Sequence, residues 1–174
     1  MSTPTRLILP GIPLGWQTGL NIRENLQAIE FGELRRTVNG TLLNLIPIEF
    51  RKYSLTISSD DMRPPALSRL WKGTELNGVV PVSELGDFIL MGGTSRTLER
   101  TPYAGSVRLL GPDGLPAAVP FTINGKIVTL TGAAPFDLRI YYRPVLRMLV
   151  SAAWTNAETE RSAVSSWTLP LEEV

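Results

Sequence analysis

The sequence contains neither cysteine nor histidine. Without cysteine there are no disulfides and no thiolate nucleophile. Without histidine, the commonest general base and the usual partner of cysteine in zinc sites are missing. These two absences exclude a Ser-His-Asp hydrolase and a Cys/His zinc site. We therefore predict that the protein is not an enzyme, and we assign it no catalytic residue, no cofactor and no metal.

An excess of charge of either sign is also lacking. Seventeen Lys and Arg residues stand against sixteen Asp and Glu residues, a net charge of +1. Such a balance gives no strong field toward nucleic acid or anionic lipid, so we predict no nucleic-acid contact. No run approaches the ~18 apolar residues of a membrane span, so we predict no membrane insertion. The apolar run Leu7–Leu9 is cut by Pro10, and we expect no signal peptide.

The 174 residues, 43% of them apolar, suit one domain with a sizeable core. Proline and glycine are frequent in residues 1–20, which favours an extended segment over a strand or helix. We therefore divide the chain into an N-terminal arm at 1–30 and a single β domain at 31–174. The arm must bury four apolar side chains, either against its own domain or against a neighbouring subunit: Leu7, Ile8, Leu9 and Trp16.

Residues 21–31 allow two interpretations. Ile22, Leu26 and Ile29 follow one another at spacings of four and three, as on one face of a helix, and Asn21 could be its N-cap. The segment could equally be irregular.

Two Asn-Gly pairs predict β-hairpins. Asn39-Gly40 lies between β-prone runs in residues 34–45, and Asn124-Gly125 lies between two further runs. Both central residues of a type I′ turn need a positive φ angle, which Asn and Gly tolerate best. The second hairpin falls in a segment at about 103–137 that could be an inserted hairpin lobe, because its two flanks could pair without it.

The stretch "SSDDMRPPALSRLWKGTEL" at 58–76 follows an alternating, strand-like run at 49–58. It could be an active-site loop or a structural corner. Its two aspartates are adjacent and would point to opposite faces of an extended segment, which is a poor arrangement for paired acid–base work. We therefore favour a structural corner, formed by Asp60, Asp61, Arg63, Pro64, Pro65, Leu67, Leu70 and Trp71.

Within this corner we predict a short helix at about 65–71. Pro64-Pro65 cannot continue a strand, but proline is well tolerated at the first helical position. Leu67, Leu70 and Trp71 would then anchor one helical face, and Arg63 would pair with one of the two aspartates. If Trp71 is buried in this way, Trp71→Ala should cost about 3–5 kcal/mol.

The rest of the chain consists of short β-prone runs separated by turn signals. Residues 92–105, rich in Gly, Thr and Arg, show no periodicity and predict a long exposed loop. Residues 144–174 predict an antiparallel pair of strands joined by a polar turn. This spacing of strands is typical of an all-β fold, an antiparallel β-sandwich or a small β-barrel.

Four segments resemble small virion proteins encoded in the tail-gene cluster of tailed bacteriophages. They are "LRRTVNGTLLNL", "FRKYSLTISSDDMRPPALSRLWKGTEL", "YYRPVLRMLV" and "WTLPLEEV", and they lie in residues 34–76 and 141–174. The similar features are an Arg-Arg-Thr-x-Asn-Gly hairpin, a Pro-Pro-Ala-Leu corner that continues to Trp-x-Gly, a Tyr-Arg-Pro strand and a Leu-Glu-Glu-Val end. Residues 1–33 and 83–137 have no part in this resemblance.

The resemblance implies a structural tail protein, located at the tail tip or baseplate and similar to distal tail adaptors. Such proteins are β modules that form a homo-oligomeric ring and act by docking. The implied partners are further copies of the chain and other tail proteins, namely the tail tube, the baseplate hub or the tape-measure region. The implied location is the virion, after synthesis in the cytoplasm of the host bacterium.

Two alternatives remain open beside the tail-tip ring. A head-tail connector, or tail-completion protein, would have the same general features. A carbohydrate-binding tail module would instead use exposed aromatic rings as stacking platforms. The candidate rings for that role are Trp16, Tyr103, Trp154 and Trp167.

In the ring interpretation, segments that a lone domain does not need should form the contacts between subunits. The arm and the loop at 92–105 are the two candidates. The residues that we predict at this interface are Leu7, Ile8, Leu9, Trp16, Arg96, Arg100 and Tyr103.

Overall fold

Strands and turns make up the chain in the computed structural model, which describes residues 6–15, 18, 21–29, 34–44, 51–159 and 164–174. Over these ranges there is no helix, and the strand pairs are antiparallel. The prediction of an all-β fold is confirmed. The short helix predicted at 65–71 is absent.

Contacts divide the chain into two units, where the sequence suggested one β domain at 31–174. Unit 1 contains Ile12–Leu76 and Arg147–Val174, and unit 2 contains Arg6–Gly11 and Asn77–Leu146. Unit 2 begins well before the lobe predicted at about 103–137, because two strands that precede residue 103 pair with strands that follow it. Part of the predicted N-terminal arm also belongs to unit 2.

A six-stranded sheet contains most of the strands of unit 1, and its strand β5 continues from unit 1 into residues that belong to unit 2. The neighbouring strands follow the order β1-β4-β14-β12-β5, and β13 pairs with the first half of β14. A separate hairpin, β2 and β3, completes this part of the chain. The bounds are β1 (Ile22–Ile29), β2 (Leu34–Arg36), β3 (Leu42–Asn44), β4 (Lys52–Asp61), β5 (Glu75–Val79), β12 (Leu146–Val150), β13 (Thr155–Thr159) and β14 (Val164–Glu173).

The two long central strands, β4 and β14, bury every second residue. Both strands alternate between buried and partly exposed positions over most of their length. Successive side chains of a strand point to opposite faces, so a period of two places one set of residues in the core. The buried sets are Leu55, Ile57, Ser59 and Asp61 on β4, and Ser165, Trp167, Leu169 and Leu171 on β14.

The stretch Ile22–Ile29 is a strand, neither the helical face nor the irregular segment that its sequence left open. It pairs with β4 along its whole length, from Ile22 opposite Ser59 to Ile29 opposite Lys52. A long neighbouring strand offers a complete ladder of backbone hydrogen bonds. That ladder outweighs a weak local spacing of apolar residues.

The corner at 62–74 forms successive turns where we predicted a helix. The N–H of Leu67 donates to the carbonyl of Pro65, and the N–H of Leu70 donates to the carbonyl of Leu67, both at 2.8 Å. A helix of a turn and a half gains few hydrogen bonds for its nucleation cost. The turns bring Pro65, Leu67 and Leu70 to the buried side without one.

Two further expectations for the corner are wrong. Trp71 is 74% exposed, so the burial on which the expected cost of Trp71→Ala rested is missing. Arg63 pairs with neither aspartate among the ion pairs that the described side chains form. Asp60 instead faces Arg23 at 3.8 Å, and the buried carboxylate of Asp61 accepts hydrogen bonds from Ser59 Oγ and from the N–H of Asn21.

Two three-stranded sheets form unit 2, in the orders β7-β10-β9 and β6-β11-β8. Ten buried side chains form its core, among them Ile89, Val128 and Tyr142. The predicted loop at 92–105 is not loop throughout, because Ser95–Thr97 pair with β10 and Leu98 is 2% exposed. The bounds are β6 (Leu85–Ile89), β7 (Ser95–Thr97), β8 (Arg108–Leu110), β9 (Phe121–Asn124), β10 (Ile127–Leu130) and β11 (Leu138–Tyr142).

Both predicted hairpins form, but neither has Asn-Gly as the two central residues of a type I′ turn. In the β2–β3 hairpin, Thr37 N–H donates to the carbonyl of Thr41, and Gly40 N–H donates to the carbonyl of Thr37. That loop has three residues and ends on Gly40 with a φ of 79°. In the β9–β10 hairpin, Asn124 pairs with Ile127, and the two loop residues are therefore Gly125 and Lys126.

Candidate functional site

The β2–β3 hairpin presents apolar side chains on its surface. Val38 at the tip is fully exposed, Leu42 is 51% exposed and Leu43 is 45% exposed. Leu42 and Leu43 are adjacent in one strand, so they lie on opposite faces of the hairpin. Each face of the hairpin therefore offers a leucine to solvent.

The hairpin receives no support from a further strand within the part of the chain that the structure describes. Its sheet has two strands only, held by the pairs Leu34–Asn44, Arg35–Leu43 and Arg36–Leu42. Arg36 Nη1 also donates to the carbonyl of Gly40 at 2.9 Å, which ties the tip to the stem. An isolated two-stranded hairpin is marginally stable in water, and packing of its apolar side chains against another surface would stabilise it.

The predicted interface residues of the arm lie mostly inside unit 2. Leu7 and Leu9 are 3% and 4% exposed, and Ile8 forms a β-bridge with Val80. Trp16 lies outside the described residues. Since the chain itself covers Leu7 and Leu9, they leave little surface for a neighbouring subunit.

The predicted interface residues of the 92–105 segment occupy three different settings. The guanidinium of Arg96 pairs with Asp87 at 2.9 Å and lies 5.1 Å from the ring centroid of Phe88. The hydrogen bond to Asp87 raises the pKa of Arg96 further above its usual range. Arg100 is partly buried and faces Glu99 at 3.4 Å.

Tyr103, the third of these residues, is 38% exposed. The guanidinium of Arg143 lies over the ring of Tyr103, 5.5 Å from the ring centroid. The structure therefore does not gather the predicted interface residues into one surface. It leaves Arg96 the most accessible of the three side chains named for this segment.

An apolar groove of about 620 Å³ lies at the end of β6 in unit 2. Phe88, Leu90 and Met91 line it and are each more than half exposed. Two charged side chains at the rim are hydrogen-bonded to backbone atoms: Asp137 accepts from the N–H of Met91, and Arg139 donates to the carbonyl of Pro112. Sequence reasoning missed this groove.

The aromatic residues considered for sugar stacking are not equivalent. Trp167 is 1% exposed within unit 1 and cannot stack on a sugar ring. Trp154 is partly buried, and Trp16 lies outside the described residues. Tyr103 offers one face at most, because Arg143 covers the other.

The ranges that the structure describes contain neither a candidate metal site nor a candidate membrane-spanning helix. No three His, Cys, Asp or Glu side chains come together there as ligands for an ion. No helix there is long and apolar enough to cross a bilayer.

Comparison with known proteins does not assign the chain to a family. No protein-family model matches the chain, and no curated protein matches its sequence. The exposed apolar residues of the hairpin therefore remain the guide to function. A signal for them was present in the sequence, because the adjacent leucines in "TLLNL" place apolar side chains on both faces of a strand, which is typical of two-sided burial.

Proposed function

We propose that this chain is a structural protein of a bacteriophage tail, forming a ring at the tail tip or baseplate by docking between subunits, in the manner of a distal tail adaptor. The observation that carries the proposal is the β2–β3 hairpin. Val38, Leu42 and Leu43 are exposed on a hairpin that pairs with no further strand among the described residues. A partner surface would bury these side chains and stabilise the hairpin.

The resemblance to phage tail proteins supports the proposal because most of its residues lie in unit 1, and only residues 141–146 of "YYRPVLRMLV" belong to unit 2. "LRRTVNGTLLNL" forms the exposed hairpin. The three other segments contribute β4, β12 and β14, which lie side by side in one sheet. The resemblance thus covers three strands of the six-stranded sheet together with the hairpin that we expect to dock.

A ring needs a heterologous contact, in which one surface of a subunit binds a different surface of the next. A projecting hairpin is suited to this role because it can bind a neighbouring subunit at a surface other than that subunit's own hairpin. We therefore expect the hairpin to supply one side of the interface and the body of the next subunit the other.

Immunogold electron microscopy of virions tests the assignment. An antibody against this protein should label the tail tip. Label at the junction between head and tail would replace the proposal with the head-tail connector. Absence of label from purified particles, with the protein present in the infected cell, would overturn the structural role altogether.

A further inference from the structure

The corner between β4 and β5 carries an exposed tryptophan that the docking hairpin does not explain. Trp71 is 74% exposed and Met62, in the same loop, is 53% exposed. Both side chains are available to a partner, and Trp71, the larger of the two, is the more exposed. We call the exposed residues Met62, Arg63, Arg69, Trp71 and Lys72 the basic corner.

The backbone of this loop is fixed on its inner side. Pro65, Leu67 and Leu70 are buried in unit 1. On the C-terminal side of Trp71, the N–H of Gly73 donates to the carbonyl of Val150 at 2.8 Å. These anchors hold the segment from both ends.

Trp71 itself is held by a local turn. Its N–H donates to Oγ1 of Thr74 at 3.0 Å, and the N–H of Thr74 donates back to the carbonyl of Trp71 at 2.8 Å. The indole thus projects from an ordered backbone. A side chain presented in this way loses little conformational entropy when a partner covers it.

Three positively charged side chains belong to the same loop as Trp71. Arg63, Arg69 and Lys72 are exposed, and none of them forms an ion pair with another described residue. No Asp or Glu occurs between residues 62 and 74. The loop itself therefore carries three positive charges and no negative one, while Lys72 shares a surface pocket with Glu172 and Glu173. The charge of the basic corner is complementary to an acidic surface.

We propose that the basic corner is a docking site for an acidic segment of another protein, which receives the indole of Trp71 in an apolar recess and places carboxylates beside Arg63, Arg69 and Lys72. Tryptophan, methionine and arginine are the residue types enriched in protein interfaces, and tryptophan and arginine dominate their binding energy. This surface is separate from the β2–β3 hairpin, and the proposal stands whether or not the chain belongs to a tail.

The composition of the corner favours a protein over nucleic acid or lipid. Binding to DNA or to an anionic bilayer increases with the number of cations that meet phosphates or headgroups. Three cations on one loop, in a chain of net charge +1, give a weak electrostatic footprint of this kind. One projecting indole among them is better matched by a single recess in a protein.

Fluorescence anisotropy with defined probes tests the proposal on the full chain. The probe is a labelled synthetic peptide in which leucine and phenylalanine alternate with glutamate. Two matched peptides replace glutamate by lysine, or leucine and phenylalanine by alanine. We expect the first peptide to bind, and both replacements to weaken binding by about tenfold or more.

Variants then locate the binding. Trp71→Ala, and the double variant Arg69→Glu with Lys72→Glu, should each weaken the first peptide by about tenfold or more. Phe88→Ala and Arg139→Glu make the same kinds of change on exposed residues of unit 2 and should leave binding unchanged. Circular dichroism and thermal unfolding of each variant verify that the fold is intact.

Three results would overturn the proposal. The first is failure of the acidic peptide to bind the unaltered protein. The second is binding that Trp71→Ala and the charge reversals leave unchanged. The third is tighter, Trp71-dependent binding of a DNA duplex or of phosphatidylglycerol vesicles, which would replace the protein partner by a different class.

Discussion

Nε of Arg143 donates a hydrogen bond to the carbonyl oxygen of Pro81 across 2.8 Å inside unit 2. The same guanidinium also donates to the carbonyls of Val80, at 3.3 Å, and of Arg6. Arg143 is 6% exposed, so it is a buried cation that donates to three carbonyl oxygens on two other chain segments. In the "YYRP" segment, this residue therefore has a structural role.

Removing the Arg143 guanidinium should destabilise unit 2. Arg143→Met keeps much of the apolar stem but leaves buried carbonyls without a donor, and we expect a loss of about 3 kcal/mol in the free energy of unfolding. Urea unfolding followed by circular dichroism measures this loss. Arg139→Met, at an exposed position, should change stability by less than about 0.5 kcal/mol. Equal effects of the two variants would show that burial of Arg143 contributes nothing.

Truncation of the two tryptophans Trp167 and Trp71 in unit 1 should have very different effects on the free energy of unfolding. Trp167 is fully buried, and Trp167→Ala should cost about 3–5 kcal/mol through lost burial and the cavity left behind. Trp71 is mostly exposed, and Trp71→Ala should change stability by less than about 0.5 kcal/mol. Thermal unfolding of both variants in one buffer measures the two changes in stability. A large loss for Trp71→Ala would contradict the exposed position.

Stability should fall at alkaline pH because of Tyr142. Burial raises the pKa of this phenol above its ordinary value of 10.0, although a hydrogen bond from the N–H of Arg100 opposes the shift. The folded state then holds the phenolic proton at a pH where the unfolded state releases it. Its contribution is complete below about pH 9 and is lost as the pH rises through the folded-state pKa.

The free energy of unfolding, measured by urea titration between about pH 8 and pH 11, should therefore decrease. Tyr142→Phe removes the ionisable group and should flatten that decrease. Tyr141→Phe, at the neighbouring and less buried position, serves as the matched control for the loss of a phenolic hydroxyl. Identical pH profiles for Tyr142→Phe and the unaltered protein would contradict the assignment to Tyr142.

The β2–β3 hairpin should control assembly without controlling the fold. The double variant Leu42→Ser with Leu43→Ser removes exposed apolar surface, so thermal stability of the isolated subunit should change little. Incorporation into tails, or ring formation measured by light scattering, should be strongly reduced. Ile123→Ser with Ile127→Ser makes the same change on the β9–β10 hairpin and should assemble normally. Normal assembly of the Leu42 and Leu43 variant would remove the hairpin from the interface.

Local sequence predicted the structure well where a short-range pattern is compatible with only one backbone conformation. The positions of both hairpins follow from glycine, since a residue with positive φ is needed wherever the chain reverses tightly. The alternation at 49–58 predicted the strand β4, but the strand continues through Asp60 and Asp61, which the sequence analysis assigned to the corner. The turn types did not follow, because the pairing of whole strands sets the register and can move the turn by a residue.

The sequence by itself determined an all-β chain, its hairpins and the alternating faces of its long strands, because these depend on neighbours within a few residues. Only the tertiary structure decided which tryptophan is buried, that residues 22–29 join a sheet, and that the corner turns without a helix. Burial of Trp167 and exposure of Trp71 depend on strands distant in sequence. The alternation of residues along a strand predicts that one face is apolar, but it does not predict which element packs on that face. The exposed hairpin and the basic corner emerged in the same way, as surfaces that the described remainder of the fold does not cover.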